Sequence, residues 1–191
     1  DRDGWQDIYF VQSGPLPGTP RPAGSAHSRL YRNTGKGTFI DVTDRAGVAN
    51  ASGYGNGCTA GDYDKDGDED LYVTNFGPSV LYRNNGDGSF TDVTQQAGVK
   101  NGLYAKSAAW ADYDHDGRLD LLQANGHVEE EIAKVDPSQA YRQPGQLFWN
   151  SGTGFQISAD GISPGFNVSP TANAVASAAN SATGMTNLSC D

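Results

Sequence analysis

The sequence predicts an all-β fold in which a small antiparallel sheet is repeated along the chain. Three patterns support this prediction: an Asp-rich loop, a hairpin whose turn is rich in glycine, and a segment that begins Asp-Val-Thr. They recur in the same order, which chance does not produce. Repetition at a spacing of about 40 to 50 residues is typical of arrays of supersecondary units. We therefore interpret the chain as a repeat protein.

The Asp-rich loop occurs in three copies, which we name loop A (residues 1–7), loop B (residues 62–70) and loop C (residues 112–120). Loops B and C share the pattern Asp-x-Asp-x-Asp-Gly-x-x-Asp, and loop A contains its last seven positions. The residues on either side of loop B, at 57–63 and 69–76, form β-prone runs. We therefore expect each loop to join two strands.

The glycine-rich hairpin is found at residues 30–39 and 81–90, and in a form one residue shorter at 147–155. In the middle copy, Asn-Gly-Asp-Gly separates β-prone runs at 79–84 and 89–94, and its glycines accept the positive φ of a tight turn. Four short strands joined by such turns make one antiparallel sheet of the size of a β-propeller blade. We therefore predict a partial β-propeller of about three four-stranded antiparallel blades.

The predicted β-repeat region covers about residues 1–162 and divides into blades at about 1–56, 57–107 and 108–162. Residues 163–191 form a tail rich in Ala, Ser and Asn with few large apolar side chains. Taken alone, such a composition is that of a flexible tail. If the tail is ordered, we expect it to lie on an external surface, for example as an added strand on a sheet edge.

The Asp-rich loops have the ligand chemistry that Ca²⁺ requires. Ca²⁺ takes six to eight oxygen ligands, and alternating Asp at positions 1, 3 and 5 directs three carboxylates inward. Gly at position 6 permits the sharp turn, and the main-chain carbonyl of position 7 adds a ligand. In an EF-hand a Glu at position 12 closes the site, but position 12 is Val73 in loop B and Gln123 in loop C. Asp at position 9 and the strand residues that follow predict a β-hairpin calcium loop instead.

The predicted calcium sites are two complete sites in loops B and C and a third, partial site in loop A, which lacks the Asp of position 1. The predicted ligands are Asp62, Asp64, Asp66, Asp68 and Asp70 in loop B, Asp112, Asp114, Asp116, Arg118 and Asp120 in loop C, and Asp1, Asp3, Trp5 and Asp7 in loop A. Asp68, Arg118 and Trp5 are included for their main-chain carbonyls. Without a cation, so many carboxylates in so few residues repel one another.

These loops and hairpins resemble the FG-GAP/VCBS repeats of integrin-α-like β-propellers, over about residues 1–160. The segments 124–128, 141–144 and 146–150 resemble a late repeat of the ASPIC/UnbV or cartilage acidic protein group. The resemblance implies an extracellular location and calcium ligands at the Asp positions given above. Family propellers usually have about seven blades, and nothing after residue 160 resembles an ASPIC/UnbV domain. The chain is therefore either a fragment or a short relative that completes its sheets by association.

Composition limits the partners. The net charge of −10 disfavours nucleic acids and anionic membranes, and no run approaches the roughly 18 to 20 apolar residues of a membrane span. Cys58 and Cys190 either form a disulfide or remain two thiols. The Asn-x-Ser triplets at Asn50, Asn167 and Asn187 are candidate glycosylation sites, which requires them to be exposed.

No catalytic constellation is evident in the sequence, and we expect no enzyme activity. His127 and the acidic residues after it fit a polar loop better than an acid–base site, and Cys58 has no evident His base. Trp5, Trp110 and Trp149 fit the blade core better than sugar platforms. The leading hypothesis is an extracellular calcium-binding module for adhesion or self-assembly, as a homo-oligomer or filament joined through open blade edges and the tail. The alternatives are a carbohydrate-binding propeller, with a glycan rather than a protein as ligand, and the non-catalytic part of a larger secreted enzyme.

Overall fold

A computed structural model of the chain describes residues 3–14, 20, 22, 25–100, 102–127, 130, 132–135 and 140–157. Several sequence-based predictions fall outside these residues: the ligand Asp1, the triplets at Asn167 and Asn187, the thiol of Cys190 and the tail 163–191. The division into blades and tail therefore stays a prediction, as does the disulfide, although Cys58 itself is exposed.

The described residues form three antiparallel sheets. Sheet 1 contains β1 (Ile8–Phe10), β2 (Arg29–Asn33) and β3 (Phe39–Asp41). Sheet 2 contains β4 (Gly55–Gly61), β5 (Asp70–Asn75), β6 (Gly77–Asn84) and β7 (Phe90–Asp92). Sheet 3 contains β8 (Ala105–Ala111), β9 (Asp120–Asn125), β10 (Gln146–Asn150) and β11 (Phe155–Ile157). In each sheet the spatial order of the strands follows the chain, as in a propeller blade, and the predicted all-β fold class is confirmed.

Three helical turns interrupt the described strands: α1 (Thr43–Ala46), α2 (Thr94–Ala97) and α3 (Ile132–Val135). The prediction of a strand up to residue 94 is therefore too long, because β7 ends at Asp92. The Asp92 carboxylate accepts hydrogen bonds from both the main-chain N–H and the hydroxyl of Thr94, at 3.0 and 2.6 Å. This Asx turn redirects the chain into α2, and Asp41 and Thr43 make the same contacts before α1.

The sheets stack face to face, and sheet 2 is covered on both faces. Because side chains alternate along a strand, Leu71 and Val73 of β5 point to sheet 1 while Tyr72 points to sheet 3. The cluster between sheets 1 and 2 consists of Ala46, Val48, Leu71, Val73 and Tyr82, with Tyr9, Leu30, Val80 and Phe90 partly buried against it. The cluster between sheets 2 and 3 consists of Tyr72, Leu81, Val93, Ala97, Val99, Leu121, Phe148 and Phe155, with Tyr63, Ala108 and Trp110 packed against it.

Loops A, B and C lie side by side at one end of this stack. Loop A is followed by β1, loop B by β5 and loop C by β9. Loops A and B line a common cleft. Loop B is joined to sheet 3 where the Asn150 side-chain amide donates to the Tyr63 carbonyl at 2.8 Å. The repeat in sequence therefore becomes a row of acidic loops in space.

Asn50 is not the exposed glycosylation acceptor that its triplet predicts. The residue is only 5% exposed. Its side-chain amide nitrogen donates to Asn75 Oδ1 at 2.8 Å, and Asn75 returns a hydrogen bond of 3.2 Å to Asn50 Oδ1. A buried amide whose nitrogen is already bonded offers no attachment point for a glycan, so the prediction is wrong at this position.

Candidate metal centres

Loop B gathers carboxylates around a tight turn. Asp62, Asp64 and Asp70 each offer an oxygen within 4.8 Å of the others. The turn depends on Gly67 at position 6, whose φ of 88° lies in the left-handed region that favours glycine. The Gly67 N–H donates to Asp62 Oδ2 at 2.9 Å. One oxygen of the first Asp thus holds the loop closed, while its other oxygen remains for a ligand role.

Loop C has the same geometry. Gly117 has a φ of 83°, and its N–H donates to Asp112 Oδ2 at 3.0 Å. Asp112, Asp114 and Asp116 offer oxygens within 4.8 Å of one another. His115, at position 4, is exposed with a φ of 60°. The carboxylate groups of the two loops differ in their third member, which is Asp70 in loop B and Asp116 in loop C.

The first Asp of loops B and C has a buried oxygen without a hydrogen-bond partner. Among the described residues, Asp62 Oδ1 and Asp112 Oδ1 are both inaccessible to solvent and accept no hydrogen bond. An unsatisfied buried acceptor costs about 1–3 kcal/mol, and more when it is charged. A hard cation at the centre of each loop would satisfy the unpartnered oxygen of that loop. The residues therefore fit the ion that the sequence predicts.

The Asp at position 9 is buried beneath loops B and C. Asp70 is 0% exposed, and its carboxylate accepts hydrogen bonds from the main-chain N–H groups of Tyr63 at 3.1 Å and Asn84 at 2.8 Å. Asp120 is 1% exposed and is held in the same way. Burial raises the pKa of Asp70 to about 7 and also raises the pKa of Asp120. A nearby cation would favour the ionised form of both groups.

Loop A retains the contacts of a complete loop at the positions that are described. Asp3 Oδ1 accepts a hydrogen bond from the Trp5 N–H at 2.9 Å, as Asp66 does from Asp68 in loop B. Asp7 Oδ1 accepts one from the Asn33 N–H at 2.8 Å. Within the described ranges, the carboxylate groups of three lie in loops B and C. Loop A is thus folded like the others, and its metal site stays a prediction.

Two side chains hold the carboxylates of loop C, Trp149 from β10 of sheet 3 and Arg118 from the loop itself. The indole Nε1 of Trp149 donates to Asp114 Oδ2 at 2.6 Å. The guanidinium of Arg118 forms an ion pair with Asp116 Oδ2, and its main-chain N–H donates to Asp116 Oδ1 at 2.8 Å. The hairpin pattern places Arg83 where Trp149 stands, so loop B lacks this indole contact. Aligning the three hairpins shows the substitution, but the sequence does not reveal the bond.

The other residues singled out by sequence lie elsewhere. His127 packs edge-on against Phe76 and Tyr104, which stack with ring centroids 4.0 Å apart. Trp110 joins the core between sheets 2 and 3, as predicted. Trp5 is 57% exposed, so the prediction that it belongs to the core is wrong. The cause is its place in loop A at the end of the stack, where no strand covers it.

The stacked sheets with Asp-rich loops at one end define a blade-repeat protein of the propeller type. A family model described as FG-GAP-like repeat matches residues 1–73 and 62–122, and the chain belongs to this family. It is 34% identical over 87 residues to cartilage acidic protein 1 of Homo sapiens, covering 44% of this chain and 13% of that protein. With the Xenopus tropicalis protein of the same name the identity is 31% over 101 residues, or 50% of this chain and 15% of the relative.

The Mus musculus protein is 32% identical over 87 residues. These matches confirm the resemblance that the loops and hairpins suggested. The matched region spans only about an eighth to a seventh of each relative. The relatives therefore support the repeat architecture of this chain, and what the whole proteins do is a separate question.

Proposed function

We propose that this FG-GAP repeat region is an extracellular, calcium-stabilised module for adhesion or assembly, and that it has no catalytic role. The observation that supports calcium most directly is the pair of buried, unpartnered oxygens, Asp62 Oδ1 and Asp112 Oδ1. They occupy position 1 of two loops that are 50 residues apart in sequence. The same unpartnered oxygen at the same position in both loops favours a bound cation of the same kind in each loop over chance packing.

The donor set favours Ca²⁺ over other cations. Each group consists of carboxylates alone, and neither imidazole nor thiolate belongs to it among the described residues. Carboxylate oxygens suit Ca²⁺, Mg²⁺ and Mn²⁺, whereas Zn²⁺ and Cu²⁺ prefer nitrogen and sulfur. A flexible loop with several protein oxygens suits Ca²⁺ better than Mg²⁺, which keeps most of its water. Extracellular calcium modules bind with dissociation constants of about 0.1–1 mM, which matches the proposed location.

The role of the ion is structural in this proposal. Loops B and C each connect two strands of a sheet, and the position-9 Asp of each is bonded to the hairpin of the same sheet. An ion that draws the loop carboxylates together would therefore order the whole end of the blade. Desolvation raises the pKa of the Cys58 thiol, which disfavours the thiolate that nucleophilic catalysis needs. His127 packs edge-on against two aromatic rings, which favours a structural role for this residue as well.

The outer face of sheet 1 supports a role in assembly. Ile8 and Phe10 on this face are 38% and 59% exposed. They correspond to Leu71 and Val73 of sheet 2, which sheet 1 covers. Among the described residues nothing covers this face, whose counterpart is buried one repeat later, and we propose that a second copy of the chain covers it. Sedimentation of the wild type and of a Phe10→Ser variant tests this: the variant should remain monomeric at concentrations where the wild type associates.

No described helix is of the length and apolarity needed to cross a bilayer. The net charge of −10 disfavours nucleic acids and anionic membranes as partners. The name of the relatives, cartilage acidic protein 1, supports the proposal of an extracellular setting for this chain.

Thermal melting with and without calcium tests the central claim. A ligand present at 100 times its dissociation constant stabilises the folded state by about 2.7 kcal/mol per site. We expect 10 mM CaCl₂ to raise the melting temperature of the wild type by several degrees over EDTA, and the double variant Asp62→Asn with Asp112→Asn to lose this response. Asp44→Asn, which removes one charge from the exposed start of α1, is the control and should respond like the wild type. Equal melting of the wild type in calcium and EDTA would contradict the proposal.

A further inference from the structure

Sheets 1 and 2 separate at the loop end of the stack and leave an open cleft of about 650 Å³. Its walls are residues 4–7 of loop A, residues 67–70 of loop B and the hairpin turn at residues 86–88. The volume lies within the range of about 300–1,000 Å³ that is usual for small-molecule sites. The predicted calcium sites lie within the loops and do not fill this cleft.

One difference between two equivalent strands distinguishes the cleft from the junction of sheets 2 and 3. Ala60 on β4 pairs with Leu71, and Trp110 on β8 pairs with Leu121, so the two residues occupy the same position in successive repeats. Trp110 fills the junction of sheets 2 and 3, where its ring stacks on Tyr63 with centroids 6.2 Å apart. Ala60 lines the corresponding space between sheets 1 and 2 and does not fill it.

The filled junction shows how complete the packing is where a Trp is present. A Cβ added to Gly61 would lie 2.6 Å from Trp110 Cδ1, so the indole already touches the neighbouring main chain. Phe155 packs on the same indole with centroids 6.1 Å apart. Its counterpart Phe90 lines the cleft at the junction with Ala60. The closed junction thus has a Trp at this position, and the open junction has an Ala.

The lining of the cleft combines aromatic surface with planar polar groups. Trp5 stands in its wall with 57% of its surface exposed, and Phe90 adds a second ring. Arg32 and Arg45 present guanidinium groups, and the Arg45 guanidinium donates to the Asp87 carbonyl at 3.2 Å. Aromatic faces accept the apolar C–H side of a sugar ring, and guanidinium and carboxylate groups form paired hydrogen bonds with neighbouring hydroxyls.

The charge of the lining decides which ligands are favoured. Five carboxylates and two guanidinium groups line the cleft: Asp7, Asp68, Glu69, Asp70 and Asp87 with Arg32 and Arg45. An excess of negative charge repels an anionic ligand. A calcium ion in loop B would reduce this excess without reversing it. The balance therefore favours a neutral ligand with many hydroxyl groups over a sulfated or carboxylated one.

We propose that this cleft binds a neutral saccharide, with a sugar ring on the Trp5 indole and its hydroxyls bonded to the arginines and acids of the walls. This deepens the adhesive role proposed above, and it rests on that role because loop B forms one wall of the site. Among the acids of the walls, Glu69 and Asp87 belong to no predicted calcium site, whereas Asp7 and Asp70 are predicted calcium ligands.

Saturation-transfer NMR of the calcium-loaded protein provides the test. The probes are the methyl glycosides of glucose, galactose, mannose and N-acetylglucosamine at millimolar concentration, with methyl glucuronide as an anionic comparison. We expect transfer to at least one neutral glycoside. Ala60→Trp, which copies the filled junction, should weaken this binding at least tenfold, and Trp5→Ala should weaken it similarly. Ala60→Ser is the matched control and should bind like the wild type.

The outcomes separate this inference from the calcium proposal. Transfer to none of the neutral glycosides, stronger binding of methyl glucuronide, or binding unchanged in Ala60→Trp would each overturn the saccharide site. Melting curves in calcium and EDTA, recorded for the same samples, show whether each variant is folded and whether calcium stabilises it. A protein that calcium stabilises but that binds no glycoside loses only the inference about the cleft.

Discussion

The main-chain N–H of Asn84 donates to Asp70 Oδ1 at 2.8 Å and so joins the hairpin of sheet 2 to loop B. The Asn84 side chain completes the connection: its amide nitrogen donates to the Glu69 carbonyl at 3.1 Å, and its oxygen accepts from the Gly86 N–H at 3.1 Å. The equivalent bond joins Asn150 to Asp120 at 2.7 Å. One Asn per sheet therefore connects the acidic loop, the strand and the turn.

Replacing Asn84 tests this connection. We expect Asn84→Ala to lower the free energy of unfolding by about 1–3 kcal/mol, because it removes the hydrogen bonds to the Glu69 carbonyl and to the Gly86 N–H. Chemical denaturation measures the change. Asn85→Ala is the control, since Asn85 is exposed in the same turn and a surface substitution costs less than about 0.5 kcal/mol. Equal losses of unfolding free energy in the two variants would show that the hydrogen bonds of Asn84 stabilise the fold no more than those of an exposed side chain.

Trp149 should tune the calcium affinity of loop C alone. Its indole holds Asp114 Oδ2, and groups that orient metal ligands typically change metal affinity by about 10–100-fold when removed. Trp149→Phe keeps the ring and removes the N–H, so we expect calcium to bind loop C about tenfold more weakly. Calorimetric titration in an Asp62→Asn background isolates loop C.

Trp5→Phe in the same background is the control, because Trp5 lies in loop A. An unchanged affinity in Trp149→Phe would mean that the indole does not orient Asp114.

The sequence predicts the parts of this protein that repeat and misses the contacts between repeats. The Asp spacing, the glycine turns and their order lead to the sheets and to the loop carboxylates, because these depend on local backbone geometry. The bond from Trp149 to Asp114 and the contrast of Ala60 with Trp110 depend on which strands become neighbours, and a single sequence does not give that.

Asn50 illustrates the same limit. Its triplet is a local signal for exposure, but its burial against Asn75, 25 residues further along the chain, is a long-range result of folding. The helical turns α1 and α2 were missed for a different reason. Asp and Thr two residues apart fit a strand end as well as an Asx turn, and the Thr hydroxyl decides between them by accepting a hydrogen bond from a neighbouring strand, as Thr94 does from the Leu81 N–H at 2.9 Å.

Asp41 should titrate well below an ordinary carboxyl. Hydrogen bonds from the Thr43 hydroxyl and main-chain N–H, and then the ion pair with Arg29, lower the pKa of Asp41 to about 2. A pKa lowered in the folded state adds stability that is fully present above the ordinary value of about 3.9 and is lost as the pH falls through 2. Carboxyl NMR titration measures the pKa.

We expect Thr43→Ala to raise the pKa of Asp41 more than Arg29→Gln does, because the contacts with Thr43 are the larger cause. The reverse order would show that the exposed ion pair dominates instead.

Asn50 should remain unmodified when the chain is secreted from cells that attach N-linked glycans. Peptide mass spectrometry is expected to find the 50–52 triplet without a glycan, because the Asn50 side chain is buried and paired with Asn75. Asn50→Ala should lower the free energy of unfolding by about 1–3 kcal/mol, because it removes both hydrogen bonds between the Asn50 and Asn75 side chains. Ser52→Ala, which destroys the triplet at an exposed position, should leave stability unchanged. Substantial occupancy at Asn50, or a Ser52→Ala variant as unstable as Asn50→Ala, would contradict the buried amide pair.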